Sequence, residues 1–257
     1  MQIELVKEIG EAYQSNSQKA RIITEGWVSD NMYCPRCGHL HINHFENNRP
    51  VADFFCPRCH SQFELKSKNG KMPNSIVDGA YGTMIERILS LENPDFFFMT
   101  YIKGNIWSVN NFYFIPKHFF TPEIIKKRKP LSQSARRAGW TGCNIQVSGI
   151  PKAGKIPIIE NGMIQDKAKI IEKVSVADAL NLSNMESRGW LYDVMSCIDK
   201  IDSRDFTLKE MYQFEAVLFQ KHPNNHNIQA KIRQQLQLLR DKGFIEFTGR
   251  GEYRKVL

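Results

Sequence analysis

The sequence predicts an α+β chain in two parts, a mixed helix-and-strand domain followed by a smaller helical unit that ends in a β-ribbon. Three observations lead there. Apolar runs of strand length at 96–101 and 107–115 alternate with stretches of helical spacing. Four of the six cysteines stand as two Cys-x-x-Cys pairs in loop-like sequence. From residue 190 onward, three helical patterns precede two short strand patterns around Gly249-Arg250-Gly251.

With 257 residues, 42% hydrophobic and 24% charged, the chain can bury a core without metal or disulfides merely to fold. No apolar stretch approaches the roughly 18 residues of a membrane span, and the first residues lack the basic region and apolar run of a signal peptide. These features predict a cytoplasmic protein with no membrane contact. No protein partner is evident.

In chain order, 3–28 reads as an opening helix or helix pair, with Ile3, Val6, Ile9, Tyr13, Ala20, Ile23 and Trp27 at roughly helical spacing. Residues 51–55 and 62–67 read as two strands, 78–92 as a helix, and 156–160 as a further strand. The stretch between is rich in glycine and reads as turns. A shift in composition near 183–189 marks the domain boundary, giving units of 1–182 and 183–257. Helices are expected at 190–200, 207–221 and 227–242.

Cys34-Pro-Arg-Cys37 and Cys56-Pro-Arg-Cys59 repeat one knuckle, separated by 18 residues, a spacing suited to a single tetrahedral zinc. A reducing compartment argues against disulfides. A redox pair would need only one such motif. Four thiolates complete the coordination sphere, so the zinc is structural. His39, His41, His44 and His60 are alternative ligands or bases; His41-Ile-Asn-His44 packs its residues too closely for a His-Asn-His nuclease.

Asp53 precedes the second knuckle, and Glu64 and Lys66 follow it. If the flanking runs pair, the knuckle becomes the turn of a hairpin. Alternation then puts Glu64 and Lys66 on one face, within reach of Asp53. Two carboxylates make a hard oxygen site suited to magnesium, and Lys66 can orient or help deprotonate an attacking water, which is the equipment of phosphodiester hydrolysis. Such spacing also arises by chance in surface hairpins. Here Asp53 and Glu64 lie in Val-Ala-Asp-Phe-Phe and Phe-Glu-Leu, where a carboxylate is costly unless paired or metal-bound.

The formal charge is +8, from 35 bases and 27 acids. Between Ile124 and Ile159 lie eight bases and no acid, which equals the whole excess, since 35 less 8 is 27. A patch of this kind suits phosphate neutralisation. It holds Arg136, Arg137 and Trp140, whose indole either contacts a base or packs in the core. The C-terminal pattern is that of a winged helix, with Ile228, Ile232, Leu236 and Leu239 as the packed stripe of its third helix. Asn225, Asn227, Gln229, Lys231, Arg233 and Gln234 are candidates for base or phosphate contact, and Arg250 and Arg254 for contacts from the wing. A zinc-ribbon and winged-helix transcription regulator without catalysis is the alternative, but it leaves Asp53, Glu64 and Lys66 idle. A repair or recombination nuclease, whose cutting is guided by DNA structure, is a third reading.

Six strings carry a resemblance nearly end to end: Ser15-Asn-Ser-Gln-Lys-Ala-Arg21, Asn43-His-Phe-Glu-Asn-Asn-Arg-Pro-Val-Ala-Asp53, Phe63-Glu-Leu-Lys-Ser-Lys68, Ala135-Arg-Arg-Ala-Gly-Trp140, Ser187-Arg-Gly-Trp190 and Ile232-Arg-Gln-Gln-Leu236. In these the chain resembles the DpnI-type methyl-directed restriction endonucleases of bacteria. That resemblance implies a PD-(D/E)xK restriction-endonuclease-like domain with an inserted four-cysteine zinc site, followed by a winged helix-turn-helix domain. It further implies double-stranded DNA cut at GATC when the adenine is methylated on its exocyclic amine. By position, it makes Asp53, Glu64 and the backbone carbonyl of Leu65 the magnesium ligands and Lys66 the catalytic lysine. Ala52 stands where proline is common, and that proline is not a ligand.

Overall fold

The apolar runs at the centre of the chain form the middle of a mixed sheet. The computed structural model describes residues 1–46, 52–90 and 93–256. Its first unit contains β1 (Glu4–Leu5), α1 (Asn16–Asn31), β2 (Asn43–His44), β3 (Phe54–Phe55), β4 (Gln62–Asn69), β5 (Ser75–Ala80) and α2 (Tyr81–Leu89). It continues with β6 (Asp95–Ile102), β7 (Trp107–Ile115), β8 (Ile125–Lys127), β9 (Gly142–Gln146), β10 (Ile156–Glu160), β11 (Met163–Ile164) and α3 (Lys167–Asp178). Then come α4 (Met185–Ile198), β12 (Asp205–Thr207), α5 (Leu208–Tyr212), α6 (Glu215–Lys221), α7 (Ile228–Asp241), β13 (Ile245–Gly249) and β14 (Glu252–Lys255).

The large sheet runs β11-β10-β7-β6-β4-β3-β2, with β1 added to β7. Only β4 and β6 pair in parallel within it, from Phe63↔Asp95 to Asn69↔Tyr101. Aromatic side chains fill its centre: the Phe63 ring lies 5.0 Å from Phe97, Phe97 lies 5.0 Å from Phe112, and Trp27 of α1 meets Phe112 edge-on at 5.4 Å. Each such pair adds about 0.5–1.5 kcal/mol beyond simple burial. A second sheet, β5-β9-β8, stands beside the first, and α2 contacts all three of its strands.

The C-terminal unit packs α5, α6 and α7 around Ile228, Ile232, Leu236 and Leu239, with a ribbon ordered β12-β14-β13. Helix α4 is buried on nearly every side. Its two sides serve different units. Tyr192 stacks on Phe119 at 4.7 Å and donates its hydroxyl to the Leu180 carbonyl at 3.2 Å, while Trp190 stacks on His222 at 3.8 Å.

Several elements depart from the pattern expected from sequence. Only the second half of the opening stretch is the helix α1; the first half is β1 and a 3-10 turn at Lys7–Gly10, because β1 is drawn out to pair with β7. The expected helix at 78–92 starts at Tyr81, since 75–80 pairs with β9, and residues 91 and 92 lie outside the described residues. Likewise Val51 of the expected 51–55 strand lies outside them. The helix expected at 207–221 is broken into α5 and α6 at Gln213 and Phe214, and the ribbon gains β12 as a third strand. Helix α4 begins five residues earlier than its apolar pattern, because the Asn184 side chain accepts from Ser187 N at 2.8 Å and caps it. Two strands, β8 and β9, bound the stretch read as turns.

Arg36, between the first pair of cysteines, fastens the knuckle to the sheet. Its guanidinium grips Asp95 with two N–H groups, one of them 2.7 Å from Oδ1, and reaches Asp178 Oδ2 at 2.8 Å. Asp95 is 2% exposed. Arg36→Ala leaves that carboxylate buried without its cation and should cost about 3–5 kcal/mol in urea unfolding. Arg58, at the same place in the second knuckle, is exposed, so Arg58→Ala should change stability by less than about 0.5 kcal/mol.

His118 is buried beside Arg36, and burial with that positive charge pushes its pKa from 6.5 down to about 3. Between those values the unfolded chain binds a proton that the folded chain refuses, so stability falls as pH drops below 6.5. Melting curves from pH 7 to 4 should show that slope, and His118→Gln should flatten it.

Candidate metal and catalytic centre

The two cysteine knuckles fold alike. Cys34 N donates to His39 O at 2.8 Å and Gly38 N to Cys34 O at 2.9 Å; Cys56 N donates to Ser61 O and His60 N to Cys56 O, both at 2.9 Å. Gly38 and His60 occupy matching positions with φ of +73° and +59°. Each turn aims its thiols at the other. The ligand sulfurs of Cys34, Cys37, Cys56 and Cys59 all lie within 4.8 Å of one another, with Cys34–Cys59 and Cys37–Cys56 at 3.6 Å. Zinc–sulfur bonds of about 2.3 Å in a tetrahedron put sulfurs about 3.8 Å apart, so this cluster fits a structural zinc. No histidine joins it among the described residues. His44 instead sets its ring edge-on to Phe54 at 5.0 Å, with Nε2 3.3 Å from Glu25.

The second knuckle is the turn of a hairpin, as its flanking sequence implies. Phe54 pairs with Phe63 and Phe55 with Gln62, and Asp53 N donates to Phe63 O at 2.9 Å. Asp53 Oδ2 accepts from Leu65 N at 2.7 Å, which fixes its side chain across the hairpin. Alternation turns Phe63 into the aromatic core and puts Glu64 and Lys66 on the other face, where Lys66 Nζ lies 2.5 Å from Glu64 Oε1. Burial raises the Asp53 pKa, the Leu65 N–H opposes this, and the charge of Glu25 raises it again. Asp53, Glu64 and Lys66 therefore share one hairpin. Two carboxylates on facing strands of one hairpin are the kind of hard oxygen donors that magnesium takes.

Four neighbours escaped the sequence reading. Glu25 of α1 is buried and held by Arg21 at 2.6 Å. Arg87 of α2 donates to Glu64 Oε2 at 2.9 Å. Asp78 of β5 lies 2.5 Å from Lys66 Nζ. Arg36 completes the set by bracing the first knuckle. A signal existed for Glu25 and Asp78, since each stands as a carboxylate in an apolar setting, Ile23 to Trp27 and Ile76-Val77-Asp78. Burial alone would lower the pKa of Lys66, but the charges of Glu64 and Asp78 outweigh it and hold the group above its ordinary value, so it is an ammonium.

The basic stretch forms a loop, 128–141, between β8 and β9. Arg136 and Arg137 are exposed. Trp140 is half-buried at the base of that loop and not in the core; its ring lies 4.8 Å from the Arg137 guanidinium carbon and 2.9 Å from where a Cβ on Gly142 would stand, so a larger residue there would have to push the indole aside. In the winged helix, Gln229, Arg233, Gln234 and Arg250 are exposed. Gln229 bonds Glu215 at 2.8 Å, Arg233 bonds the Tyr212 hydroxyl at 2.5 Å, and Arg254 pairs with Asp205 at 2.7 Å. Lys231 is half-buried over the Trp190 ring. Asn227 stands at the α7 N-cap without a side-chain cap bond, while Asn225 Oδ1 accepts from Asn227 N at 2.8 Å. No helix among the described residues is long and apolar enough to cross a membrane.

Because the cluster closes the hairpin, metal analysis of the purified protein should find one zinc per chain. Cys56→Ser should lose that zinc and lower the melting temperature and cleavage together. A stable, fully active Cys56→Ser variant would make the cluster peripheral.

Residues 1–183 match the family model described as DpnI, the Dam-replacing family. Residues 186–255 match that of the Dam-replacing HTH domain, which supports DNA binding by the C-terminal unit. The zinc-type cluster, the carboxylate and lysine hairpin and the winged helix thus occur together in a chain that belongs to the Dam-replacing, DpnI-type family of restriction endonucleases.

Proposed function

We propose that the protein is a magnesium-dependent endonuclease that cuts double-stranded DNA at GATC sites whose adenine is methylated on the exocyclic amine. Residues 1–182 form its catalytic unit and 183–257 its winged-helix reader. The observation that carries this reading is the convergence of Asp53, Glu64 and Lys66 on one hairpin, in a chain of this family.

In this reading Asp53, Glu64 and the Leu65 carbonyl hold magnesium. When bound, the ion supplies charge for the phosphoryl oxygen and lowers the pKa of a water. Asp53 is held for this by the Leu65 amide, and Glu64 is held between Lys66 and Arg87. Lys66, an ammonium, orients the water and offsets charge on the reacting phosphate rather than taking a proton. Arg136 and Arg137 neutralise backbone phosphates, and Trp140 offers the adenine methyl an apolar partner. In the reader, Asn225, Asn227, Gln229 and Gln234 are the candidates for base edges. Lys231, Arg233, Arg250 and Arg254 serve phosphates, after Arg233 and Arg254 exchange their present partners.

Incubation with methylated and unmethylated plasmid, in magnesium or in EDTA, tests this directly. Only methylated plasmid in magnesium should be cut; intact methylated plasmid there would sink the reading. Lys66→Ala should abolish cleavage, by at least about 100-fold in rate, while DNA binding stays unchanged in a gel-shift assay.

A further inference from the structure

We propose that Asp78 is a positioning residue for cleavage, which holds the Lys66 ammonium in place and ties the catalytic strand to the sheet bearing the basic loop. The inference rests on the reading of Lys66 as the catalytic lysine.

Asp78 stands on β5, outside the hairpin and outside the Asp-Glu-Lys pattern. Its side chain is 9% exposed. Oδ1 lies 2.5 Å from Lys66 Nζ and also accepts from Gly79 N at 2.7 Å, so the carboxylate is anchored by its own backbone before it meets the lysine. Oδ2 is buried with no hydrogen-bond partner. A carboxylate so poorly satisfied is costly, and its one strong compensation is the ammonium.

Lys66 has two carboxylate partners, and they are not equivalent. Glu64 already answers to a second cation, Arg87, at 2.9 Å, and in the proposed mechanism it also serves a divalent ion. Whatever draws on Glu64 weakens its hold on Lys66. Asp78 has no other cation within 4 Å among the described ion pairs, so it is the partner that keeps the ammonium in place. An ammonium has three N–H groups. Glu64 and Asp78 take two and leave one for water or a phosphoryl oxygen.

The position of Asp78 in the chain adds a second consequence. Asp78 pairs with Cys143 of β9, which pairs with Lys127 of β8, and the basic loop 128–141 hangs between those two strands. The contact from Asp78 to Lys66 thus joins the DNA-facing sheet to the cutting strand.

The test compares Asp78→Asn, Asp78→Glu, Lys66→Ala and the double variant Lys66→Ala/Asp78→Asn in full-length protein, with steady-state cleavage of methylated plasmid, DNA affinity and melting temperature. Asp78→Asn should lower kcat by about 100-fold with KM and DNA affinity unchanged, the scale of loss for a misplaced catalytic group. Asp78→Glu, which keeps the charge one methylene further out, should fall between wild type and Asn. The double variant should be no slower than Lys66→Ala alone, since Asp78 acts through the lysine. A wild-type kcat in Asp78→Asn, or a rise in KM alone, would overturn the inference. If Asp78→Asn does not fold, a folded Asp78→Glu with wild-type kcat overturns it equally. Cleavage retained by Lys66→Ala would instead bring down the reading of the lysine itself.

Discussion

The geometry of the hairpin that carries Asp53, Glu64 and Lys66 depends on four sulfurs. Strand β3 is two residues long, and two residues of ladder cannot fix a register against β4 in water. What fixes it is the turn between them, which is the second cysteine knuckle, whose sulfurs face those of the first. Asp53 is one residue before that short strand, so its place opposite Glu64 and Leu65 is set by Cys56 and Cys59 as much as by hydrogen bonds. The first knuckle needs a rigid support of its own. Arg36 provides it through Asp95, at the start of β6, and Asp178, at the end of α3. The chain of constraint runs from the sheet through Arg36 to the sulfurs and only then to Asp53.

The charges gathered at this hairpin are themselves a constraint. Glu25, Asp53, Glu64 and Asp78 are four carboxylates in one neighbourhood; Arg21, Lys66 and Arg87 are three permanent cations paired with them. The carboxylates outnumber those cations by one, and Asp53 is the carboxylate that no cation contacts directly among the described ion pairs. Its raised pKa follows, because burial and the nearby Glu25 both penalise its charge. A site with this balance is set to gain from a further cation next to Asp53. In the same arrangement the charges of Glu64 and Asp78 outweigh the burial of Lys66 and raise its pKa.

The cysteine cluster and the hairpin that carries Asp53, Glu64 and Lys66 were legible in sequence for a particular reason. The cysteine spacing marks a turn, alternation assigns Glu64 and Lys66 to one face, and apolar neighbours make Asp53 costly without a role; each is a local property. Glu25, Asp78, Arg87 and Arg36 come from α1, β5, α2 and a loop, and their roles depend on how those elements pack. No local pattern gives that. Glu25 and Asp78 could have been flagged by the argument that singled out Asp53, but without a partner in sequence they would have been flagged as nothing more than unusual. The elements misread fail in the same way. Residues 3–10 have helical spacing, yet β7 presents a free edge that extends Glu4 and Leu5 into a strand. Asp78 to Ala80 could begin a helix, yet β9 claims them first.

Helix α4 bears on how the two units work together. In an ordinary amphipathic helix one side faces water, but α4 buries Trp190, Leu191, Tyr192, Val194 and Ile198 around its whole circumference. Tyr192 belongs to the packing of Phe119 and Leu180, and Trp190 to that of His222, which leads into the turn before α7. Asp199, just past the end of α4, accepts from Lys152 N at 2.6 Å, and Lys242 of the helical unit bonds the Ala179 carbonyl. The apolar core is consequently continuous from the large sheet through α4 into the winged helix. A helix shared in this way leaves little freedom for one unit to swing against the other, because any rotation would strip either the Tyr192 or the Trp190 side of its contacts. The presentation of α7 is therefore coupled to the sheet that carries Glu64 and Lys66.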